Sequence, residues 1–410
     1  MDADVVVVGA GQAGLAASCE LAAAGVEHVV LERGRVAETW RGRWDSFCLV
    51  TPNWSIRLPD WEPVPDADGF LPRDELVAAF ERYAAALRAP VQEDTEVTSI
   101  VPRPGGGFHL TTSRGELEAG AVVLATGAFA RPHRPPAAAA LPDGVEQLDT
   151  AQYRAPDQLP QGRVLVVGSG QTGCQIAEEL HLTGHDVVLA CGKSPWVHRR
   201  IAERDIVWWL LESGFLDVPV ERLPSPLARL AANVQATGRD GGHDLTYREL
   251  HAMGVTLAGR LDGVEDHTAR FAPDLGASIA WGDARHGDVM AFVRALAEER
   301  GIGLDDVEEP EPFAPPAPES MDLRDTGAVV FACGYRPDHA AWVQAAGAFD
   351  ELGFPLHRDG ASTAVADLYF TGVHFLRTRK SGLLCGAGED AKLVARAVAD
   401  AARRSRAPRS

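Results

Sequence analysis

Gly9, Gly11 and Gly14 follow the apolar run Asp4 to Val8 in the spacing G-x-G-x-x-G, and the acid Glu32 closes the next apolar run, Val29 to Leu31. A strand, a glycine turn, a helix and an acid ending the second strand are what a dinucleotide needs. Gly9 makes the tight turn, Gly11 lets a pyrophosphate approach the backbone, and Gly14 lets helix and strand pack closely. The helix N-terminus faces the phosphates, and Glu32 accepts from ribose hydroxyls.

The same grammar returns at Val164 to Val167, followed by Gly168, Ser169, Gly170, Gln171, Thr172 and Gly173. Here the second strand, Val187 to Leu189, runs into Ala190-Cys191-Gly192-Lys193 with no acid. An acid there would repel a 2′-phosphate, whereas Lys193, helped by Arg199 or Arg200, attracts one, so NADPH is favoured over NADH. Two such sites in one chain imply electron transfer from a nicotinamide to a flavin, with FAD on the first site and NADPH on the second. The cofactors carry that chemistry and the protein positions them.

The elements that position these turns can be read from pattern. Leu15 to Ala24 is a helical stretch ended by Gly25, and Ala121 to Thr126 is a buried strand leading into Gly127. Arg131 to Pro136 (RPHRPP) is stiff and extended, as expected of an inter-domain linker, and Pro310 to Pro318 marks the return path. A strand at Ala328 to Ala332 and another at Leu368 to Thr371 follow, then a helix of about Glu389 to Ala402, and a basic, frayed end from Arg403 to Ser410. The expected fold is α/β. Two Rossmann-like dinucleotide-binding domains are expected, the second inserted into the first: 1–150 with 320–410 for FAD, and 160–310 for NADPH. Residues 205–290 fit neither domain's grammar and read as a mixed helical insertion.

Composition narrows the partners. At 410 residues with a formal charge of −19, the chain lacks the basic face that nucleic acid or an anionic membrane would require. No segment approaches the ~18 uninterrupted apolar residues of a membrane span. The opening residues lack the basic, then apolar, pattern of a secretory leader, so a cytoplasmic protein is expected. The six cysteines (19, 48, 174, 191, 333 and 385) show no C-x-x-C pair and no metal-ligand spacing with histidine. Neither a metal site nor a dithiol redox pair is expected. A homo-oligomer is compatible with the sequence.

The chain resembles the flavin-containing monooxygenase superfamily, and within it bacterial flavin-dependent oxidoreductases of undefined substrate. The resemblance rests on Gly9 to Gly14; Thr39-Trp40 with Arg43-Trp44-Asp45; Leu49-x-Thr51-Pro52; Ala125-Thr126-Gly127 with Pro132 and Pro135; Gly168 to Gly173; and Ala332-Cys333-Gly334-Tyr335. The resemblance implies flavin contacts at Glu32, Arg33, Trp40, Trp44, Thr51, Thr126 and Gly127. It departs from the family linker motif F-x-G-x-x-x-H-x-x-x-F/Y/W, to which Asp143, Val145, Asp149 and Tyr153 align. Only the final aromatic survives, and an imidazole gives way to a carboxylate that cannot donate when ionised.

The resemblance also implies a monooxygenase that inserts one oxygen atom of O2 into a small organic substrate by way of a C4a-(hydro)peroxyflavin. An amine nitrogen or another soft nucleophile suits the electrophilic outer oxygen. Asn53, after Thr51-Pro52, is the candidate donor to the reacting oxygen. Arg377, Arg379 and Lys380, three cations within four positions, are the candidate grip on an anionic substrate. Two other readings stand beside this: an NADPH-dependent flavin reductase or dehydrogenase without oxygen insertion, and a non-catalytic nucleotide sensor.

Overall fold

The computed structural model describes residues 2–304 and 310–406. Val5 to Val8 and Val164 to Val167 are both at most 5% exposed, and such β-branched runs, apolar on both faces, make central parallel strands. Each becomes the middle of a sheet.

The first sheet has nine strands. Asp2–Val8 lies between Val29–Leu31 and Gly115–Leu124, parallel to both, and Leu368–Phe370 pairs parallel on the far side of Gly115–Leu124. Val97–Pro102 and Phe108–Thr112 form an antiparallel hairpin on the same strand. The second sheet has five parallel strands in the order Thr256–Ala258, Asp186–Ala190, Arg163–Val167, Thr326–Phe331 and Glu146–Asp149. Arg131–Pro132 and Tyr335–Arg336 pair antiparallel, so the outgoing and returning chains run side by side. The proline-stiffened linker is one half of that ribbon.

Three expectations change. The boundaries at 150 and 320 put residues 146–149 and 326–331 with the FAD unit, yet both strands pair in the second sheet. Glu146–Asp149 is a mostly polar edge strand and Thr326–Phe331 an apolar run that would suit either sheet, so only the crossover at 131–132 and 335–336 decides the side. The stretch expected as an insertion at 205–290 also contains part of the second unit itself: the capped helix Tyr247–Met253 leads into the edge strand Thr256–Ala258. The remainder is mixed, from Ile206–Glu212 through short 3-10 turns to the 26-residue helix Leu275–Arg300. Finally, the last helix runs from Ala387 to Arg406, beyond the expected Ala402, while 407–410 of the expected frayed end lie outside the described residues. Among the described residues no helix is long and apolar enough to cross a membrane.

Candidate cofactor and active site

The three glycines of the first turn do different work. Gly9 has φ of +105°, and a Cβ there would meet the Ala125 carbonyl oxygen at 2.9 Å. A Cβ on Gly14 would collide with the Gly9 carbonyl oxygen, whereas one on Gly11 would meet nothing within 4 Å. Gly9 and Gly14 therefore serve the protein's own packing, and Gly11 faces open space. The helix Gln12–Ala23 starts there with no side-chain cap, leaving its first N–H groups for a ligand. Open space over orphan N–H groups fits the pyrophosphate of FAD.

The buried Glu32 carboxylate accepts from the Ala10 N–H at 2.7 Å and the Gly34 N–H at 3.1 Å. Two backbone donors fix its position and leave further lone pairs unused. Arg33 beside it is exposed. Trp40 donates its indole N–H to Gln12 Oε1 at 3.1 Å, and Gln12 Nε2 donates to the Gly382 carbonyl at 3.0 Å. Gln12, which the motif reading passed over as a variable position, thus ties two distant segments to the first turn of the helix.

Other expected flavin contacts have internal duties. Trp44 is 4% exposed and packs edge-on against Phe47 at 5.1 Å, so it belongs to the core. Thr51 is half-buried, and Gly127 takes a φ of +72°. Thr126 Oγ1 lies 3.1 Å from His339 Nε2, and burial holds that imidazole down to about 4. Asn53 is buried with both ends of its carboxamide engaged: Nδ2 donates to the Asp66 carbonyl at 2.8 Å, and Oδ1 accepts from the Leu71 N–H at 2.9 Å. These bonds brace the 66–71 loop, and one N–H remains beyond them.

The second turn repeats the geometry. Gly168 has φ of +100°, and a Cβ on Gly173 would collide with the Gly168 carbonyl oxygen. The helix Gln171–Leu182 begins at Gly170 without a side-chain cap, with Thr172 half-buried in its first turn. A Cβ on Gly170 would meet the Ala232 Cβ at 3.2 Å, because residues 232–237 lie over this turn. Gln171 Nε2 donates to the Val234 carbonyl at 3.2 Å, and Gln235 Nε2 to the Ser169 carbonyl at 3.0 Å. Ser169 is buried, and its hydroxyl accepts from the Gly192 N–H at 2.9 Å. The uncapped helix leaves its first N–H groups for a nucleotide pyrophosphate, with the 232–237 segment lying against Gly170. Lys193, at the end of the second strand, is exposed.

Several expected cations are occupied. Arg199 is 2% exposed: Nε donates to Asp205 at 2.9 Å, Nη1 to the Val50 carbonyl at 2.8 Å, and its carbon lies 4.8 Å from the Phe70 ring centroid. It fastens the second unit to the first and cannot also hold a 2′-phosphate. Arg200, the other expected helper, donates to the Gly242 and Gly241 carbonyls at 2.9 and 2.8 Å. Arg377 is bonded to Asp390 at 2.8 Å, and Lys380 to Asp217 and Glu389 at 2.6 Å each. Both are neutralised within the protein, which corrects their expected role in gripping substrate. Arg379 is left, stacked 4.6 Å from the Phe215 centroid with its Nε unpartnered. Charge spacing alone could not reveal the carboxylates that fold back onto this loop.

The linker departure also has a cause. Asp149 accepts from Arg134 Nε at 2.9 Å and Nη2 at 3.0 Å, while the guanidinium lies 4.5 Å from the Phe331 centroid. The carboxylate that replaces the family imidazole clamps the linker arginine onto the second sheet. Tyr153, the surviving aromatic, is fully buried and donates to Glu179 at 2.8 Å.

All six cysteines are free. Burial pushes the thiols of Cys19 and Cys333 up to about 12 and those of Cys48 and Cys385 to about 11, and raises Cys174 and Cys191 as well. None is poised as a thiolate nucleophile. Among the described residues no group of His, Cys, Asp and Glu could hold a metal ion.

The comparisons agree with this geometry. Residues 6–210 match the model of the pyridine nucleotide-disulphide oxidoreductase family. The chain is 30% identical over 393 residues to an oxidoreductase designated CzcO-like from Geobacillus kaustophilus, covering 95% of this chain and 97% of the relative. In fold it is similar to a flavin-containing monooxygenase from Stenotrophomonas maltophilia, with TM-score 0.69, 20% identity and coverage of 98% and 99%. It is also similar to the ornithine N-hydroxylase of Kutzneria sp. 744, with TM-score 0.66, 17% identity and coverage of 99% and 100%. The chain belongs to the pyridine nucleotide-disulphide oxidoreductase family. Over its length it is similar to the CzcO-like oxidoreductases, and in fold to flavin-containing monooxygenases.

Proposed function

We propose that the protein is an NADPH-dependent monooxygenase that transfers one oxygen atom of O2 to a small organic substrate at nitrogen or another soft nucleophile. The observation that carries this reading is two glycine-built nucleotide turns in a chain whose six cysteines are all free, with burial raising each thiol's pKa. Disulphide reduction, the other chemistry in the family's name, needs a thiolate at the flavin, and burial opposes one here. Bound FAD with O2 supplies the oxygen transfer, and NADPH supplies two electrons, so that one oxygen atom leaves in the product and the other as water.

The chain's own residues position and enclose. Residues 2–130 with 337–406 hold FAD through Gly11, the uncapped helix at Gln12 and the Glu32 carboxylate. Residues 131–336 hold NADPH through Gly170 and Gln171, with Lys193 meeting the 2′-phosphate. Strand pairing supports this division. A run of rings is the wall of the reaction space in this reading: Phe129 to Tyr335 at 5.9 Å, Phe129 to His374 at 6.1 Å, and His374 to Phe375 at 4.3 Å between centroids. Burial holds His374 down to about 4, so the wall is uncharged at neutral pH. Excluding water protects the oxygen-transferring species and strengthens each hydrogen bond to the substrate. Asn53 acts by bracing the 66–71 loop.

The test is product analysis. Flavin-loaded protein with NADPH and O2 is offered a panel of primary amines, amino acids and thioethers, and products are examined by mass. A substrate-dependent gain of one oxygen, labelled from 18O2, supports the reading. NADPH consumption that yields only hydrogen peroxide or water with every member of the panel points instead to a reductase.

A further inference from the structure

Arg43 is a cation without an anion. Its Nε is sealed from solvent with no hydrogen-bond partner, and among the described residues no acceptor is bonded to its guanidinium. The acids of its own segment are spent elsewhere, Asp45 on Arg73 at 2.5 Å and Glu38 on Arg41 at 3.8 Å. Trp40 and Phe47 flank the guanidinium with centroids at 6.0 and 5.8 Å, the outer limit of a useful cation–π contact. Such contacts do not offset the desolvation of a guanidinium. Burial accordingly lowers its pKa.

Its backbone is fixed where the two units meet. The Arg43 carbonyl accepts from Arg73 at 3.1 Å, the Gly42 carbonyl from Arg154 at 2.7 Å, and the Asp45 N–H donates to the Arg154 carbonyl at 2.7 Å. On the other side, Tyr335 follows the strand Thr326–Phe331 of the second sheet and exchanges a hydrogen bond with Thr150 at 2.9 Å. Phe129, 49% exposed, stands edge-on to the Tyr335 ring. Arg43 thus stands on a segment bonded directly to Arg154 of the second unit, at the junction of the two sheets.

We infer that Arg43 holds an oxyanion of a ligand at the junction of the two units. A guanidinium suits a carboxylate or a phosphate alike. The anion comes either from NADP(H) or from the substrate. This replaces Arg377 and Lys380 as the anion grip, and it rests on reading the junction as a flavin–nicotinamide site.

The test uses flavin-loaded protein, wild type against Arg43→Met, which keeps the apolar stem, and Arg43→Lys, which keeps the charge. Dissociation constants are read from the visible flavin spectrum for NADP+, for benzoate, and for benzamide as its neutral twin. If the anion is a nucleotide phosphate, Arg43→Met weakens NADP+ at least tenfold and leaves benzoate alone. If it is a substrate carboxylate, benzoate weakens at least tenfold while NADP+ holds. In either case benzamide is unmoved and Arg43→Lys falls between. Removing a half-buried cation that has no ion-pair partner should also leave the ligand-free melting temperature no lower than wild type. Both anions within twofold of wild type in Arg43→Met overturns the inference, and so does loss of flavin or a lower melting temperature, since Arg43 would then serve flavin or fold. Wild-type protein that takes up no flavin refutes the functional reading instead.

Discussion

The side-chain position of Gly14 falls on the carbonyl oxygen of Gly9, whereas that of Gly11, between them in sequence, meets nothing within 4 Å. The relationship separates fold from ligand within one motif. Gly14→Ala should fail to fold stably, because backbone meets the new methyl group. Gly11→Ala should keep its far-ultraviolet circular dichroism and yet lose at least tenfold in FAD affinity, about 1.4 kcal/mol, by filling the space left for the pyrophosphate. Full flavin binding by folded Gly11→Ala would remove the cradle from the account.

Lys193 is the exposed cation at the end of the second strand, where an acid would select against NADPH. Lys193→Ala should raise KM for NADPH about tenfold with kcat and the NADH parameters nearly unchanged, the mark of a lost ground-state contact. Equal losses for both nucleotides would reassign the residue.

Arg199 should behave differently. It is buried on Asp205 and reaches the Val50 carbonyl, so Arg199→Ala strands a carboxylate and should destabilise the protein by roughly 3–5 kcal/mol. Chemical denaturation measures this directly. A stable variant with altered NADPH affinity would restore its expected phosphate role.

These two residues show how far the sequence was legible. Both glycine turns, their strands and Glu32 were readable because local steric demands dictate residue types at fixed spacing. The partners of Arg199, Arg377 and Lys380 were not, since Asp205, Asp390 and Asp217 reach them through tertiary folding that no spacing encodes. The sheet membership of 326–331 was hidden for a related reason, since a buried apolar strand carries no mark of which sheet it joins, and the polar strand 146–149 carries no apolar run at all. Gln12 was hidden inside the motif, at a position the fingerprint leaves free.

His339 supplies a pH dependence. Burial holds its folded-state pKa near 4 against an ordinary 6.5, so the unfolded chain binds the proton first. Its contribution is present above about 6.5 and is lost as pH falls toward 4, on the order of 3 kcal/mol in all. His198 and His243, raised by Asp244 and Glu178, act in the opposite sense, so the variant rather than the bare curve is informative. The melting temperature of His339→Gln should fall less than that of wild type between pH 7 and 5. Parallel curves would contradict the assignment.

The most direct test of the central claim is rapid mixing of the NADPH-reduced, flavin-loaded protein with oxygenated buffer while the visible spectrum is followed. The account predicts a transient that is neither reduced nor oxidised flavin, outlasting the mixing by seconds and decaying faster when an oxidisable amine or thioether is present. A single direct return to oxidised flavin, with hydrogen peroxide in equal amount and no response to any such substrate, would contradict it.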